Sequence, residues 1–318
     1  MTRLTVIVPA TNEPPTLERC VAAIRGAEEP PEELIVVSEA ASPGPAAARN
    51  EGAARATGDV LVFVDADVVA RPDAFRRIRR AFDADAELAA LFGSYDDEPD
   101  DPGVVSTFRN LLHHHVHHAG AGPASTFWAG LGAIRRDAFA AAGGFDAQRY
   151  PHPSVEDIDL GLRVSRAGGR IRLDPAVRGT HLKAWTLADM LHTDFARRGV
   201  PWTELLLERG GASTALNLGW RHRLSALAAL AAAGALVTRR PRLGAAALLA
   251  LLALNREFYA LLARKQGPAR SMAGVGLHAA HHLAGLAAVP VGAARYLGHR
   301  HAGPGRRAPR GAPARAPR

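Results

Sequence analysis

Two aspartates one residue apart, Asp65-Ala66-Asp67, follow the apolar run Val60-Leu61-Val62-Phe63-Val64. The run is continuous and β-branched, which predicts a buried strand over residues 60–64. Carboxylates at the carboxyl end of such a strand stand where open α/β sheets bind ligands. Two like charges beside a core repel each other and lose hydration, so they need a partner. A hard divalent cation, Mg2+ or Mn2+, is one such partner: it takes carboxylate oxygens and shares a substrate diphosphate. A solvated strand-end turn is the other reading, and a bare Asp-x-Asp does not choose between them.

Two more strands read from Thr5-Val6-Ile7-Val8-Pro9 and Leu34-Ile35-Val36-Val37, with helical patterns over residues 16–25 and 46–56. Strands alternating with helices predict an α/β, Rossmann-like sheet, mostly parallel and flanked by helices. Three strand ends then converge on one edge that carries Thr11, Glu39, Asp65 and Asp67. No Gly-x-Gly-x-x-Gly follows the first strand and no Walker-type loop occurs, so a nucleotide would be held differently from a dinucleotide or ATP.

Further along, Glu156-Asp157 opens a helix predicted over residues 155–167. Acids favour a helix N-terminus, so this pair has a structural explanation as well as a chemical one. His181 ends a strand predicted at 176–180 and is read either as structural or as a metal ligand; Lys183 is in reach of diphosphate oxygens or solvent. The run His113-His114-His115-Val116-His117-His118 puts imidazoles at i, i+4 spacing, but without the Glu of His-Glu-x-x-His. It reads as a helix lining an acceptor rather than a zinc site. Trp128, Gly130 and Gly132 suggest a small-residue strand beside an aromatic platform, an acceptor wall or ordinary core.

Over about its first two-thirds the chain resembles family-2 glycosyltransferases of the GT-A fold. The matching pieces are Val6-Ile7-Val8-Pro9-Ala10-Thr11-Asn12-Glu13, Glu33-Leu34-Ile35-Val36-Val37, Ala48-Arg49-Asn50-Glu51-Gly52, residues 58–67, Gly143-Gly144-Phe145-Asp146 and Glu156-Asp157. Residues 126–136 and His181-Leu182-Lys183-Ala184-Trp185-Thr186 are similar to a bacterial membrane-associated branch. The resemblance implies a nucleoside loop at Pro9, Ala10, Thr11 and Glu13, with Glu39 at the base and Arg49 near the nucleotide. It implies that Asp65 faces the ribose, that Asp67 and His181 hold the metal, and that Asp157 is the general base. Glu156 is expected on the helix or the acceptor side, with Trp128 and Gly130. The pair Ser38-Glu39 replaces the family's usual Asp-Asp, which leaves the base, UDP or GDP, open.

Composition frames these readings. One cysteine, Cys20, excludes an internal disulfide and fits a reducing compartment. No signal-peptide pattern is read at the N-terminus. Residues 1–210 hold 23 Lys and Arg against 30 Asp and Glu; residues 211–318 hold 16 against one. The basic part is also apolar, with runs at 224–237, 243–254 and 273–297, the last broken by Pro290. Basic flanks on apolar helices suit anionic lipid rather than nucleic acid. Residues 99–103, overlapping the acidic stretch at 96–101, read as an exposed acidic loop at the cleft edge, and residues 299–318 as a disordered basic tail.

The expectation is a GT-A domain over 1–210, apolar membrane-associated helices over 211–298, and the tail. Such a protein would move a sugar, with inversion, from a nucleotide sugar to a lipid-linked or glycan acceptor in cell-envelope synthesis. It would work with Mg2+ or Mn2+, its catalytic domain on the cytoplasmic side of a bacterial inner membrane. A non-catalytic nucleotide-sugar-binding membrane protein and a sugar-phosphate nucleotidyltransferase are the alternatives; the latter lacks its Gly-rich, Arg-containing first loop.

Overall fold

The computed structural model describes residues 1–11, 13–40, 43–210 and 219–301. Asn12 and most of the expected basic tail lie outside them. Eight strands, β1 (Leu4–Pro9), β2 (Glu33–Val37), β3 (Val60–Val64), β4 (Val68–Ala70), β5 (Leu88–Tyr95), β6 (Gly122–Ala124), β7 (Leu131–Arg135) and β8 (Arg170–His181), form one sheet. Its order is β2-β1-β3-β7-β5-β8-β4, with β6 paired to β8.

The helices that precede and cover these strands are α1 (Leu17–Arg25), α2 (Pro45–Arg55), α3 (Ala74–Ala84), α4 (Val104–Ala119), α5 (Arg136–Ala141) and α6 (Glu156–Arg166). After β8 come α7 (Leu187–His192), a π-helix (Thr193–Gly199) and α8 (Val200–Glu208). Then follow α9 (Trp220–Val237), α10 (Pro241–Leu254) and α11 (Arg256–His301).

The parallel expectation holds for β2, β1 and β3. Beyond β3 the sheet is mixed, because β7 enters antiparallel between β3 and β5, and β4 and β6 both run antiparallel to β8. The strand expected at 176–180 is in fact the last part of β8, which starts at Arg170. Polar side chains such as Arg172 and Arg178 hide its earlier half from an apolar-run reading; pairing with β5 sets its length.

β3 is buried along its whole length, and its alternate residues divide between two cores. Val60, Val62 and Val64 pack with Phe75, Ile78 and Phe82 of α3 on one face. Leu61 and Phe63 pack with Phe127, Phe139 and Phe145 on the other. Covering helices on both faces leave the strand no polar side, which is why it reads as a continuous apolar run. A third core joins α4 to α11 through Phe108, Leu111 and Leu112 against Phe258, Leu261 and Leu262. The start of α11 is therefore core rather than the arm of an apolar hairpin.

The third apolar run, 273–297, is not interrupted at Pro290 as expected. Within α11 the non-helical residue is Gly267 (φ 77°), and Pro290 lies inside the helix. Pro268 disfavours the α conformation for the residue before it, and glycine accepts the positive φ that results. One stretch of α11 is long and apolar enough to cross a membrane by length and composition. The acidic segment lies in the loop between β5 and α4, exposed at Asp100, Pro102 and Gly103 as expected, but ion pairs pin it. Asp96 is buried beside the Thr180 hydroxyl, Asp97 pairs with Lys265 at 2.5 Å, Glu98 with Arg71 at 3.1 Å and Asp100 with Arg19 at 2.7 Å. The acids are consumed by basic neighbours that only the fold brings to them.

Helix α6 sits hard on the segment before β7: a Cβ at Gly161 would lie 2.3 Å from the Phe127 nitrogen. Backbone cannot yield as a side chain does, so Gly161→Ala is expected to destabilise by about 1–3 kcal/mol. A lowered thermal midpoint checks it; an unchanged midpoint would mean that α6 can slide.

Candidate active site

The sharp turn after β3 projects Asp65 and Asp67. The Asp65 amide donates to the Gly130 carbonyl at 3.1 Å, and the Asp67 carbonyl accepts from the Leu182 amide at 2.8 Å. Register in the β4–β8 pair sets Val68 opposite His181, which brings His181 Nε2 to 3.5 Å from Asp67 Oδ2. The imidazole stacks flat on Tyr95, with ring centres 4.3 Å apart. Lys183 follows, its ammonium 3.9 Å from the centre of the Trp185 ring. Burial pushes the Asp67 carboxyl up, but the His181 contact and the His181 and Lys183 charges outweigh it and hold it below its ordinary range.

Asp65 has a different partner. Arg49, on α2, is buried and donates from Nη2 to Asp65 Oδ1 at 2.6 Å and from Nη1 to Glu156 Oε1 at 2.9 Å. Its guanidinium also lies over Phe145, 5.4 Å from the ring centre. The premise that both aspartates need a cation is therefore overturned for one of them: Asp65 is balanced from inside the protein, and Asp67 is left facing His181. Burial still raises the Asp65 carboxyl, with Arg49 opposing and Asp67 adding to the rise.

Asp157 is the next residue after Glu156, at the start of α6. Its carboxylate accepts from the Ala129 amide at 3.2 Å and from the Ile158 amide at 2.8 Å. Burial and the Glu156 charge push it up to about 7, against the pull of Arg49. The segment Trp128-Ala129-Gly130 thus touches both acids, one through Ala129 N and the other through Gly130 O. Glu156 is turned inward, bonded to Arg49 and to the Ser154 amide at 2.8 Å. Of its two expected places, the helix and the acceptor side, Glu156 takes the first here, holding the start of α6 and supporting Arg49.

Trp128 packs edge-on to Tyr95, with centres 4.9 Å apart, and lies 4.5 Å from His113. Gly130 is glycine because a Cβ there would meet the Trp128 ring at 2.4 Å; it precedes β7 rather than lying in a strand. The Gly93 carbonyl accepts from His117 Nδ1 at 2.8 Å and the Tyr95 carbonyl from His114 Nδ1 at 2.9 Å. These bonds dock α4 onto β5, and among the described residues no cluster of three or more potential ligands forms a metal cage.

The remaining expected residues lie apart from this cluster. Ala10 is buried and bonded to the Val37 carbonyl at 2.9 Å, which seats the loop after Pro9 beside the end of β2. Thr11, Glu13 and Glu39 are exposed. Tyr95 was not singled out from the sequence; its place at the end of β5, the strand parallel to β8, is the signal that pairing supplies.

Residues 38–143 match the family model Glycosyl transferase family 2. That stretch contains Arg49, Asp65, Asp67, Trp128 and Gly130 but stops short of Asp157 and His181. The Pre-mycofactocin glycosyltransferase of Mycobacterium tuberculosis, in strains CDC 1551 / Oshkosh and ATCC 25618 / H37Rv, is 28% identical over 217 residues. The findings support a family-2 glycosyltransferase. The aligned part covers 59% of this chain and 44% of the relative, so the chain spans less than half the length of the curated relatives it matches. In three dimensions the chain is similar to the mannosyltransferase PcManGT from Pyrobaculum calidifontis, solved in complex with GDP-Man and Mn2+. The TM-score is 0.51 at 18% identity, over 93% of this chain and 87% of that one, a likeness of fold and of the GT-A type.

Arg49→Met would leave Glu156 buried without its counter-charge and Asp65 without its partner. Breaking a buried pair from one side costs about 3–5 kcal/mol. A large drop in thermal midpoint is the expected result, and an unchanged midpoint would show that Arg49 is dispensable.

Proposed function

We propose that this protein is a metal-dependent inverting glycosyltransferase that takes sugar from a nucleotide sugar and gives it to a lipid-linked or membrane-proximal acceptor. The observation that carries the reading is two differently tuned acids, one on the turn after β3 and the other at the start of α6, with residues 129–130 between them. Asp67 is held ionised beside His181 and Lys183, and Asp157 is pushed up to about 7. An acid kept low suits charge binding; an acid near neutrality suits proton transfer.

The donor set at Asp67 fits a divalent cation. One carboxylate oxygen and one imidazole nitrogen face each other across 3.5 Å, and Mg2+ or Mn2+ sites leave their other positions to substrate oxygens and water. Asp67 and His181 would hold such an ion, which when bound offsets the charge of the departing diphosphate. The presence of Mn2+ with GDP-Man in the complex of the mannosyltransferase PcManGT supports this assignment. Asp157 takes the proton from the acceptor hydroxyl. The acceptor oxygen bonds to the anomeric carbon, and the nucleoside diphosphate leaves with the electron pair, which inverts that centre. The Ala129 and Ile158 amides fix the carboxylate that receives the proton. Lys183 supplies charge to the diphosphate, and Arg49 keeps Asp65 turned toward the donor. The exposed loop residues Thr11, Glu13 and Glu39 serve the nucleoside, and Trp128 serves the acceptor.

Membrane association rests on α9 and α10. Leu227 and Leu230 on α9 and Leu249 on α10 are more than half exposed, and Arg239, Arg240 and Arg242 cluster at the turn between the helices. At about 1.5 Å per residue these helices are about 27 and 21 Å long, short of a hydrocarbon core of about 30 Å. An apolar face with a basic tip suits insertion into one anionic leaflet.

Asp157→Asn should cut kcat by about 10²–10⁴-fold while nucleotide-sugar binding persists. Wild-type kcat/KM should rise with pH through about 7, because the base works only when ionised. In stability the sign is opposite: a carboxyl whose folded pKa is raised resists ionisation, so its favourable contribution fades as pH climbs from about 4 to about 7. Asp157→Asn should therefore melt higher than wild type at pH 8 but not at pH 4. Full activity of this variant in a transfer assay defeats the mechanism.

Co-sedimentation with vesicles should show binding to phosphatidylglycerol over phosphatidylcholine. Leu227→Asp with Leu249→Asp should abolish it, and equal binding by that double variant removes the membrane from the reading.

A further inference from the structure

At the loop that leads into α6 the fold forms a half-open cavity of about 470 Å³. It lies between the loop before α6, the π-helix with α7 and α8, and the C-terminal half of α11. Its wall carries Arg149, His152, His192, Arg197 and Arg295 against one carboxylate, Glu204. Arg149 is held by Glu208 at 2.6 Å, and Arg295 stands 3.9 Å from Glu204. Arg197 is exposed, and no ion-pair partner for it occurs among the described residues. Tyr150, also on the wall, is 4% exposed, and its hydroxyl has no hydrogen-bond partner among the described residues.

The cavity wall is bonded to Glu156 through Ser154. Ser154 lines it, donates from Oγ to the Arg197 carbonyl at 2.8 Å, and donates from its amide to Glu156 at 2.8 Å. Asp157 follows three residues after Ser154. Arg197 is also near enough to Lys183 for the two charges to repel. The segment that presents Arg197 is a π-helix, a geometry with poorer backbone bonding that recurs at functional sites.

We propose that this cavity is the anion subsite of the acceptor, and that the acceptor is a phosphorylated sugar. The inference rests on the transferase reading and narrows it. Guanidinium forks match phosphate oxygens, and they outnumber the carboxylate beside them. The volume falls in the range of small-molecule sites, roughly 300–1,000 Å³, and so has room for a sugar as well as its phosphate. The unpartnered Tyr150 hydroxyl is a ready donor to such a ligand. A sugar phosphate bound here lies against Ser154, three residues before Asp157, and Asp67, His181 and Lys183 do not line the cavity, so it does not compete with the donor diphosphate. The same chemistry is offered by a free sugar phosphate and by a sugar on a polyprenyl diphosphate.

Calorimetric titration of the full chain tests it with glucose 6-phosphate, glucose, and phosphatidylcholine vesicles carrying a polyprenyl diphosphate sugar. Glucose 6-phosphate, the vesicles, or both should bind, and glucose should not. R197Q with R295Q should weaken that binding by about tenfold or more, whereas R197K should keep most of it. UDP-glucose or GDP-mannose affinity in the presence of Mn2+ should be the same in all three proteins, which also reports that the variants fold. Binding of the vesicles alone assigns the anion to lipid; binding of glucose 6-phosphate assigns it to a soluble sugar. Glucose binding as well as its phosphate, neither anion binding, or R197Q with R295Q binding like wild type would overturn the subsite. So would a loss that falls equally on the nucleotide sugar, because the cations would then serve the donor. A chain that binds the anion through Arg197 and Arg295 but neither binds nor turns over any nucleotide sugar would sink the transferase reading and leave an anion site.

Discussion

One guanidinium organises this site. Arg49 is buried and ties the turn after β3 to the start of α6 through Asp65 and Glu156. Charges removed from water need partners of matched geometry, and two carboxylates share this one. The sharing leaves an excess of negative charge around a single cation, and that excess falls on Asp157. Burial and the Glu156 charge raise it, and Arg49 is too committed elsewhere to bring it down. The structural ion pair and the tuning of the proposed base are thus one arrangement.

The same logic separates Asp65 from Asp67, although they are near neighbours in sequence. Arg49 approaches from α2 and meets Asp65. His181 and Lys183 approach from the end of β8 and meet Asp67. Two acids in opposite surroundings take opposite shifts: burial raises Asp65, and the His181 and Lys183 contacts lower Asp67.

The C-terminal helices are held to the sheet domain by packing and by buried charge. Phe258, Leu261 and Leu262 of α11 close a core with α4, and Asp194 on the π-helix accepts from Arg109 at 2.8 Å and from His281 at 2.8 Å. Lys265 adds its pair with Asp97. The basic surplus after residue 210 is therefore not all surface charge; part of it neutralises acids of the preceding domain.

Strands β1, β2 and β3 and helices α1, α2 and α6 were legible within one or two residues, because unbroken apolar runs and helical periodicity are local signals. The acids Asp65, Asp67 and Asp157 were legible because their types and places at element ends already suggest chemistry. What the chain could not display locally is pairing across distance. The antiparallel entry of β7, the length of β8, the capture of Asp65 by Arg49 and the inward turn of Glu156 depend on residues sixteen or more positions apart. The clamping of the acids at 96–101 was decided in the same way, by neighbours distant in sequence. Sequence alone determined which groups were present and which elements carried them. Tertiary structure decided which charge each one faces, because electrostatic energy in a low-dielectric interior depends on separation in space and not along the chain.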